Sequence, residues 1–237
     1  MSYVFDTARL QRIAEQRAAE FSRAEPYPHI VIDEFLDPAQ ARLLAEVFPG
    51  PDESNWDHYA APGIEMKLGC GDETRFPAPI RDAVRDLNSS AFVSILEKLT
   101  GIDHLLTDPH LLGGGMHLTR QGGLLGIHSD FNWHTRIHAH RRLNLLVYLT
   151  PDWRPEYAGE LELWDTGGTR LVRRVEPVFN RAVLFATRSD TFHGHPQPWA
   201  APAGVHRQSI ALYYYTSERP EAEKRPAHNT LYKGYNA

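Results

Sequence analysis

His128-Ser129-Asp130 places an imidazole and a carboxylate two residues apart, and His193 offers a second imidazole much later in the chain. On an extended strand, residues two apart point to the same side, so His128 and Asp130 can chelate one ion. The third ligand then has to come from a distant strand. Two imidazoles and one carboxylate on one face of a metal leave three positions open, a donor set that suits Fe(II). By itself the His-x-Asp pattern is weak. Thirteen histidines make one such pair unremarkable, and a surface histidine beside a turn-capping aspartate looks the same. His193 and His195 fall on one face of an extended segment, so periodicity does not separate them as the third ligand. His195 precedes Pro196, which restricts its backbone.

Two further residues suit an organic anion. Arg207 opens the run Arg207-Gln208-Ser209-Ile210-Ala211-Leu212-Tyr213-Tyr214-Tyr215-Thr216. An arginine at the mouth of a buried strand matches a carboxylate in a planar, two-point grip; an ordinary surface arginine at a strand start is the plain alternative. Tyr148 ends the apolar run before Thr150-Pro151, and its hydroxyl needs a partner if buried. His134, His138 and His140 follow closely after the His-x-Asp pair. No glutamate follows within the spacing a second, cupin-like site needs, so this segment reads as a loop over the site entrance. His110 and His117 suit either a pocket wall or the core.

The elements that must position these groups divide the chain in two. A helix is expected from about Asp6 to Ala24, with Leu10, Ile13, Ala14 and Phe21 at helical spacing. Glu25-Pro26-Tyr27-Pro28 ends it, and His29–Ile32 follows as a short strand. Asp37-Pro38-Ala39-Gln40 opens a second helix with an N-cap, a proline at N1 and a glutamine at N3. Residues Gly50 to Pro77 lack a period and read as a long, lid-like loop. A third helix is expected from about Pro79 to Thr100, with Gly101 as its C-cap. From there, short β-rich runs recur about every ten positions, as in a sandwich or barrel. Leu145–Leu149 is nearly all apolar and Glu160–Trp164 alternates. Gly113-Gly114-Gly115 suits a tight turn at a strand entry. The tail from Glu218 is polar, with Tyr232 and Tyr235 able to dock it.

Bulk properties bound the rest. At 237 residues, with 42% hydrophobic and 23% charged, the chain can bury a core as one domain. The formal net charge of −5 argues against bulk nucleic-acid or membrane-surface binding. A single cysteine, Cys70, excludes an internal disulfide and a cysteine-rich zinc site, and points to a reducing compartment, the cytoplasm. The N-terminus lacks a basic-then-apolar leader, and no stretch is long enough to span a bilayer.

Taken in order, His128-Ser129-Asp130, Arg142 to Trp153, Gly159 to Trp164, Phe192-His193-Gly194-His195-Pro196 and Arg207 resemble the prolyl 4-hydroxylase-like branch of the Fe(II)/2-oxoglutarate dioxygenases. The resemblance covers roughly Leu111 to Thr216. It implies a mainly β fold with N-terminal helices and a double-stranded β-helix (jelly-roll) core. The domain would comprise a helical lead-in over 1–101, with its lid-like loop at 50–77, the jelly roll over 102–216 and a polar tail over 217–237. It also implies that His128, Asp130 and His193 hold Fe(II), the ligand standing at the start of the His-Gly-x-Pro run. Arg207 and Tyr148 would bind the distal carboxylate of 2-oxoglutarate. O₂ is the oxidant and ascorbate a reductant. The sequence departs from the family at Ala158, where a first glycine is usual, and in a long interval from His193 to Arg207.

The implied reaction hydroxylates an unactivated C–H bond of a peptide, amino acid or biosynthetic intermediate and releases succinate and CO₂. Asp130 favours hydroxylation, desaturation or epoxidation over halogenation, because related halogenases lack the carboxylate. Two other classes remain: a non-catalytic metal-binding jelly roll, such as a 2-oxoglutarate sensor, and a cupin-type hydrolase or isomerase. Succinate formation separates the first, and zinc-dependent activity without O₂ the second. Trp56, Tyr59, Trp133 and Arg136 are candidate contacts to a small-molecule or peptide substrate. Fold and cofactor site do not determine substrate, and oligomeric state is not legible.

Overall fold

The computed structural model describes residues 3–53 and 56–234. Helix α1 spans Thr7–Arg23, strand β1 His29–Ile32, α2 Pro38–Glu46, β2 Asp57–Ala61, β3 Glu65–Cys70, α3 Ala78–Leu87 and α4 Ser90–Thr100. The strands continue as β4 Leu106–Thr107, β5 Gly115–Thr119, β6 Leu125–Ser129, β7 Trp133–His134 and β8 Ala139–Tyr148. After them come β9 Leu161–Trp164, β10 Leu171–Val175, β11 Ala182–Ala186, β12 His193–His195, β13 Arg207–Thr216 and β14 Leu231–Tyr232.

The helix ends follow from local chemistry. Asp6 accepts from the Arg9 amide at 2.9 Å, and Asp37 accepts from the Ala39 and Gln40 amides. The single helix expected over 79–100 is two. Ser89 leaves the helical region and caps α4 through the Phe92 amide, so α3 stops at Leu87. Gly101 closes α4 with φ of +68°, a left-handed conformation that favours glycine.

The strands run in the order β1-β11-β8-β13-β5-β3-β6-β12-β9-β10, every registered pair antiparallel. The path turns where β3 meets β6 through the single registered pair Glu65 and Leu125. On one side of the turn lies a sheet ending in β1; on the other, the shorter sheet β6-β12-β9-β10. The long strands sort their side chains by parity. On β8, Leu143, Leu145 and Val147 face the helices, while Asn144, Leu146 and Tyr148 face inward. On β13, Ile210, Leu212 and Tyr214 face the helices, and Arg207, Ser209 and Tyr213 face inward. The outward face packs on Phe92, Leu96, Ile80 and Leu87 in the main core. The buried Tyr214 hydroxyl donates to the Leu87 carbonyl at 2.8 Å, tying β13 to α3. The architecture is the mainly β, double-stranded β-helix fold on N-terminal helices.

The expected loop over 50–77 is largely a hairpin. β2 and β3 pair from Asp57–Gly69 to Ala61–Glu65, and β3 also joins the sheet beside β5. β2 is exposed along nearly its whole length, so it has no alternation of buried and exposed residues for a strand period to follow. Trp56 is a core residue rather than a substrate contact: it stacks on Phe48 and donates to the Gly50 carbonyl. The segment expected as an entrance loop contributes β7 and the start of β8. Tyr232 docks the tail, whereas Tyr235 lies outside the described residues. No helix among the described residues is long and apolar enough to cross a membrane.

Candidate active site

The two sheets enclose a narrow cavity of about 70 Å³. His128 comes from β6, Asp130 from the position just after that strand, and His193 from β12, where it sits in register opposite His128. One ligand atom from each lies within 4.8 Å of the others, a group that can hold a metal ion. His128 Nε2 is 3.6 Å from Asp130 Oδ1, and His193 Nε2 is 3.3 Å from Asp130 Oδ2. Both rings use Nδ1 elsewhere: His128 against the Gly126 carbonyl at 2.8 Å and His193 against the Thr191 carbonyl at 3.3 Å. An Nδ1–H donated to a carbonyl leaves the Nε2 lone pair free for a metal. His195 lines the same cavity but is not part of this group.

Burial drives the His193 pKa down to about 3, although Asp130 pulls it up. Its imidazole is therefore neutral and ready to ligate at ordinary pH. Burial pushes the Asp130 carboxyl up, but Arg141, His193 and His128 together outweigh it and hold it well below the usual range. Arg141 is buried, 3.1 Å from Asp130 Oδ2, and Asn144 donates to the same oxygen at 2.8 Å.

Arg207 lines the cavity too. It heads β13, the strand whose Tyr213 packs on Arg141. It is buried, its Nε donates to the Gly159 carbonyl at 2.8 Å, and its guanidinium carbon lies 4.9 Å from the Tyr148 ring centre. Among the described residues no carboxylate forms an ion pair with it. A buried guanidinium without a counter-charge is costly, so this end of the cavity calls for an anion. The Tyr148 hydroxyl and His195 Nδ1 are buried without a hydrogen-bond partner, two more groups awaiting a ligand. A dicarboxylate anchored at Arg207 and reaching toward the metal group satisfies them, so the residues present fit Fe(II) and 2-oxoglutarate.

A wider cleft of about 560 Å³ opens outside this cavity and shares His128, Asp130, Lys67 and Tyr213 with it. Tyr59 and Trp133 line the cleft as expected; Arg136 does not, and instead meets His110 Nδ1 at 3.2 Å. His134 is fully buried against Asp108 at 3.1 Å, so it is neither solvated nor substrate-facing. His117 lines the inner cavity.

Sequence reasoning passed over Lys67, Arg141 and Asn144. Lys67 sits in the wall shared by cavity and cleft, paired with Glu65 at 3.1 Å, on a hairpin without a period. Asn144 had a signal: a lone amide inside the apolar run Leu143–Leu149 needs a partner.

The family model of the 2OG-Fe(II) oxygenase superfamily matches residues 114–215. No curated protein matches the chain in sequence. Among solved structures, a prolyl hydroxylase from Trichoplax adhaerens, in complex with a hypoxia inducible factor peptide, is similar at TM-score 0.62 and 19% identity. That match covers 88% of this chain and 91% of the other. A Pseudomonas putida prolyl-4-hydroxylase is similar at TM-score 0.54 and 19% identity, over 87% and 98%. HygX from Streptomyces hygroscopicus, with nickel, 2-oxoglutarate and hygromycin B bound, is similar at TM-score 0.53 and 11% identity, over 86% and 92%. Over residues 114–215, which span strands β5 to β13 around the cavity, the chain is similar to the 2OG-Fe(II) oxygenase superfamily, and over most of its length it shares the fold of these prolyl hydroxylases.

Proposed function

We propose that the protein hydroxylates an unactivated C–H bond of a peptide, amino acid or biosynthetic intermediate, with His128, Asp130 and His193 holding Fe(II). Fe(II) with 2-oxoglutarate and O₂ supplies the oxidative chemistry and yields succinate and CO₂. The observation that carries the reading is the buried, carboxylate-free Arg207 in the same cavity as the His-Asp-His group.

The chain's own residues have distinct tasks. Arg207 and Tyr148 bind and orient the distal carboxylate of the cosubstrate. Leu146, Leu161 and Phe185 line the cavity and keep water from it. Asp130 would be the carboxylate ligand, and its presence favours hydroxylation, desaturation or epoxidation over halogenation. The substrate enters through the outer cleft, whose walls include Tyr59, Trp133, Phe131 and Tyr232. The Trichoplax enzyme bound to a peptide and HygX bound to hygromycin B both place an organic substrate in this fold, which supports a substrate of either size.

The test is an anaerobic visible spectrum of the apoprotein titrated with Fe(II) and then 2-oxoglutarate. A weak charge-transfer band that grows and saturates with the oxo acid is expected. Iron binding without that band would leave Arg207 and Tyr148 with no cosubstrate to bind and favour a non-catalytic or cupin-type site.

A further inference from the structure

The long interval between His193 and Arg207, which the metal group does not use, builds one wall of a second groove of about 440 Å³. The floor is the β2–β3 hairpin. His58 pairs with Leu68 and Ala60 with Met66, so these four share one face of the ribbon, and all line the groove. Tyr59 and Lys67 belong to the opposite face, which lines the cleft outside the metal group. The wall over 202–206 is held from behind. Trp199 is fully buried and exchanges backbone hydrogen bonds with Gly122 and Gly123, each at 2.8 Å. Its indole donates to the Val205 carbonyl at 2.9 Å, and Thr150 donates to the His206 carbonyl at 3.0 Å. Arg120, in the turn before Gly123, closes the other side. Among the described residues no carboxylate lines the groove, and its charged side chains are Lys67 and Arg120. Lys67 is paired with Glu65 at 3.1 Å, whereas Arg120 forms no ion pair among the described residues. His206 Nδ1 is buried without a hydrogen-bond partner. Burial, and then the Arg120 guanidinium, hold the His206 pKa below its ordinary value; Asp52 acts in the opposite sense but does not line the groove.

We propose that this groove binds a small carboxylic acid with an apolar body, its carboxylate on Arg120 and His206 and its hydrocarbon on Met66, Leu68 and Val205. Charge complementarity selects the occupant. An unpaired guanidinium in a lining without carboxylates attracts an anion, and its planar fork matches a carboxylate at two points. A neutral imidazole carrying its proton on Nδ1 adds a third donor. The apolar part has a place ready, because Met66 on the floor is 40% exposed. The volume falls in the range of small-molecule sites, and the anchored wall means that the site exists before the ligand arrives. None of the five side chains belongs to the inner cavity, so the proposal does not depend on the metal-site reading.

The probe is dansylglycine, a fluorescent aromatic carboxylic acid, titrated into wild type, Arg120→Glu and His206→Phe. Thermal melts establish that each variant folds; Arg120 is exposed, so its replacement leaves the core untouched. Wild type is expected to show a saturable rise in emission that octanoate reverses and octanol does not. Arg120→Glu should abolish that rise, and His206→Phe should weaken binding about tenfold. Arg120→Gln, which removes the charge without reversing it, serves in place of His206→Phe if the phenylalanine prevents folding. Saturating Fe(II) and 2-oxoglutarate, added without oxygen, should leave the bound probe in place. A folded Arg120→Glu protein that binds the probe like wild type overturns the proposal. So does displacement by octanol as readily as by octanoate, or by 2-oxoglutarate, which would place the probe in the inner cavity. Absence of saturable binding to wild type overturns it as well.

Discussion

The Tyr232 ring lies against the His128 imidazole, their centres 5.3 Å apart. The contact exists because β14 pairs with the outer edge of β6, Tyr232 opposite His128 and Leu231 opposite Ser129. The Tyr232 hydroxyl donates to Glu65 at 2.9 Å, so one tail residue joins the metal strand to the β2–β3 hairpin across the cleft. Tyr232→Ala is expected to loosen the His128 ring and lower divalent-metal affinity, toward the roughly tenfold end of outer-shell effects. Metal titration of the folded variant measures this. Unchanged affinity would make the tail a wall of the cleft and nothing more.

Arg207→Ala removes, among the described residues, the one buried cation without an ion-paired carboxylate. Charged hydrogen bonds are worth about 1.5–3 kcal/mol, so the 2-oxoglutarate Kd should rise roughly 10- to 100-fold while metal affinity stays the same. Arg207→Lys is expected to fall between, because an ammonium lacks the two-point fork. Equal loss of metal and cosubstrate binding would indicate collapse of the cavity instead.

The metal-free protein should lose stability as the pH falls. Burial holds His193 down at about 3 and His195 well below its ordinary value. Below about pH 6.5 the unfolded chain takes up protons at these rings that the folded chain refuses. Their contribution is full above that pH and is lost as the pH falls toward the folded values. Each costs about 1.4 kcal/mol per pH unit within that window. The lowered Asp130 pKa acts only in more acidic solution, so it does not mask the effect. Melts between about pH 7.5 and 5 should show a falling Tm; a flat or rising Tm would contradict the buried, neutral imidazoles.

Gly115 has φ of +91°, and a Cβ there would overlap the Cys70 carbonyl on the neighbouring strand β3. Gly115→Ala combines a strained backbone with that overlap. It should cost at least about 2 kcal/mol, read as a lower midpoint in chemical denaturation. A wild-type midpoint would mean that β3 and β5 can separate without loss.

Much of the site was legible because its chemistry is short-range in sequence. His128 and Asp130 share a face through the two-residue period of a strand, and Arg207 heads a buried strand. The helix starts at Thr7 and Pro38 were written in their caps, Asp6 and Asp37. The break between α3 and α4 was harder to see, because the apolar period continues through Asn88 and Ser89 while the Ser89 cap interrupts the backbone. The β2–β3 hairpin was hidden because β2 is exposed along nearly its whole length and shows no alternation of buried and exposed residues.

The amino-acid sequence determined which groups are available: two imidazoles, a carboxylate, an arginine and a tyrosine, borne on strands whose alternation sends them inward. Only the tertiary structure decided which histidine meets Asp130. His193 and His195 share a strand face, and the register of β12 against β6 puts His193 beside His128 and His195 opposite Leu125. It also decided that Arg141 and Asn144 grip one oxygen of Asp130, and that a tail strand closes over the metal strand. Those relationships depend on contacts between residues far apart in the chain, which local period and composition do not encode.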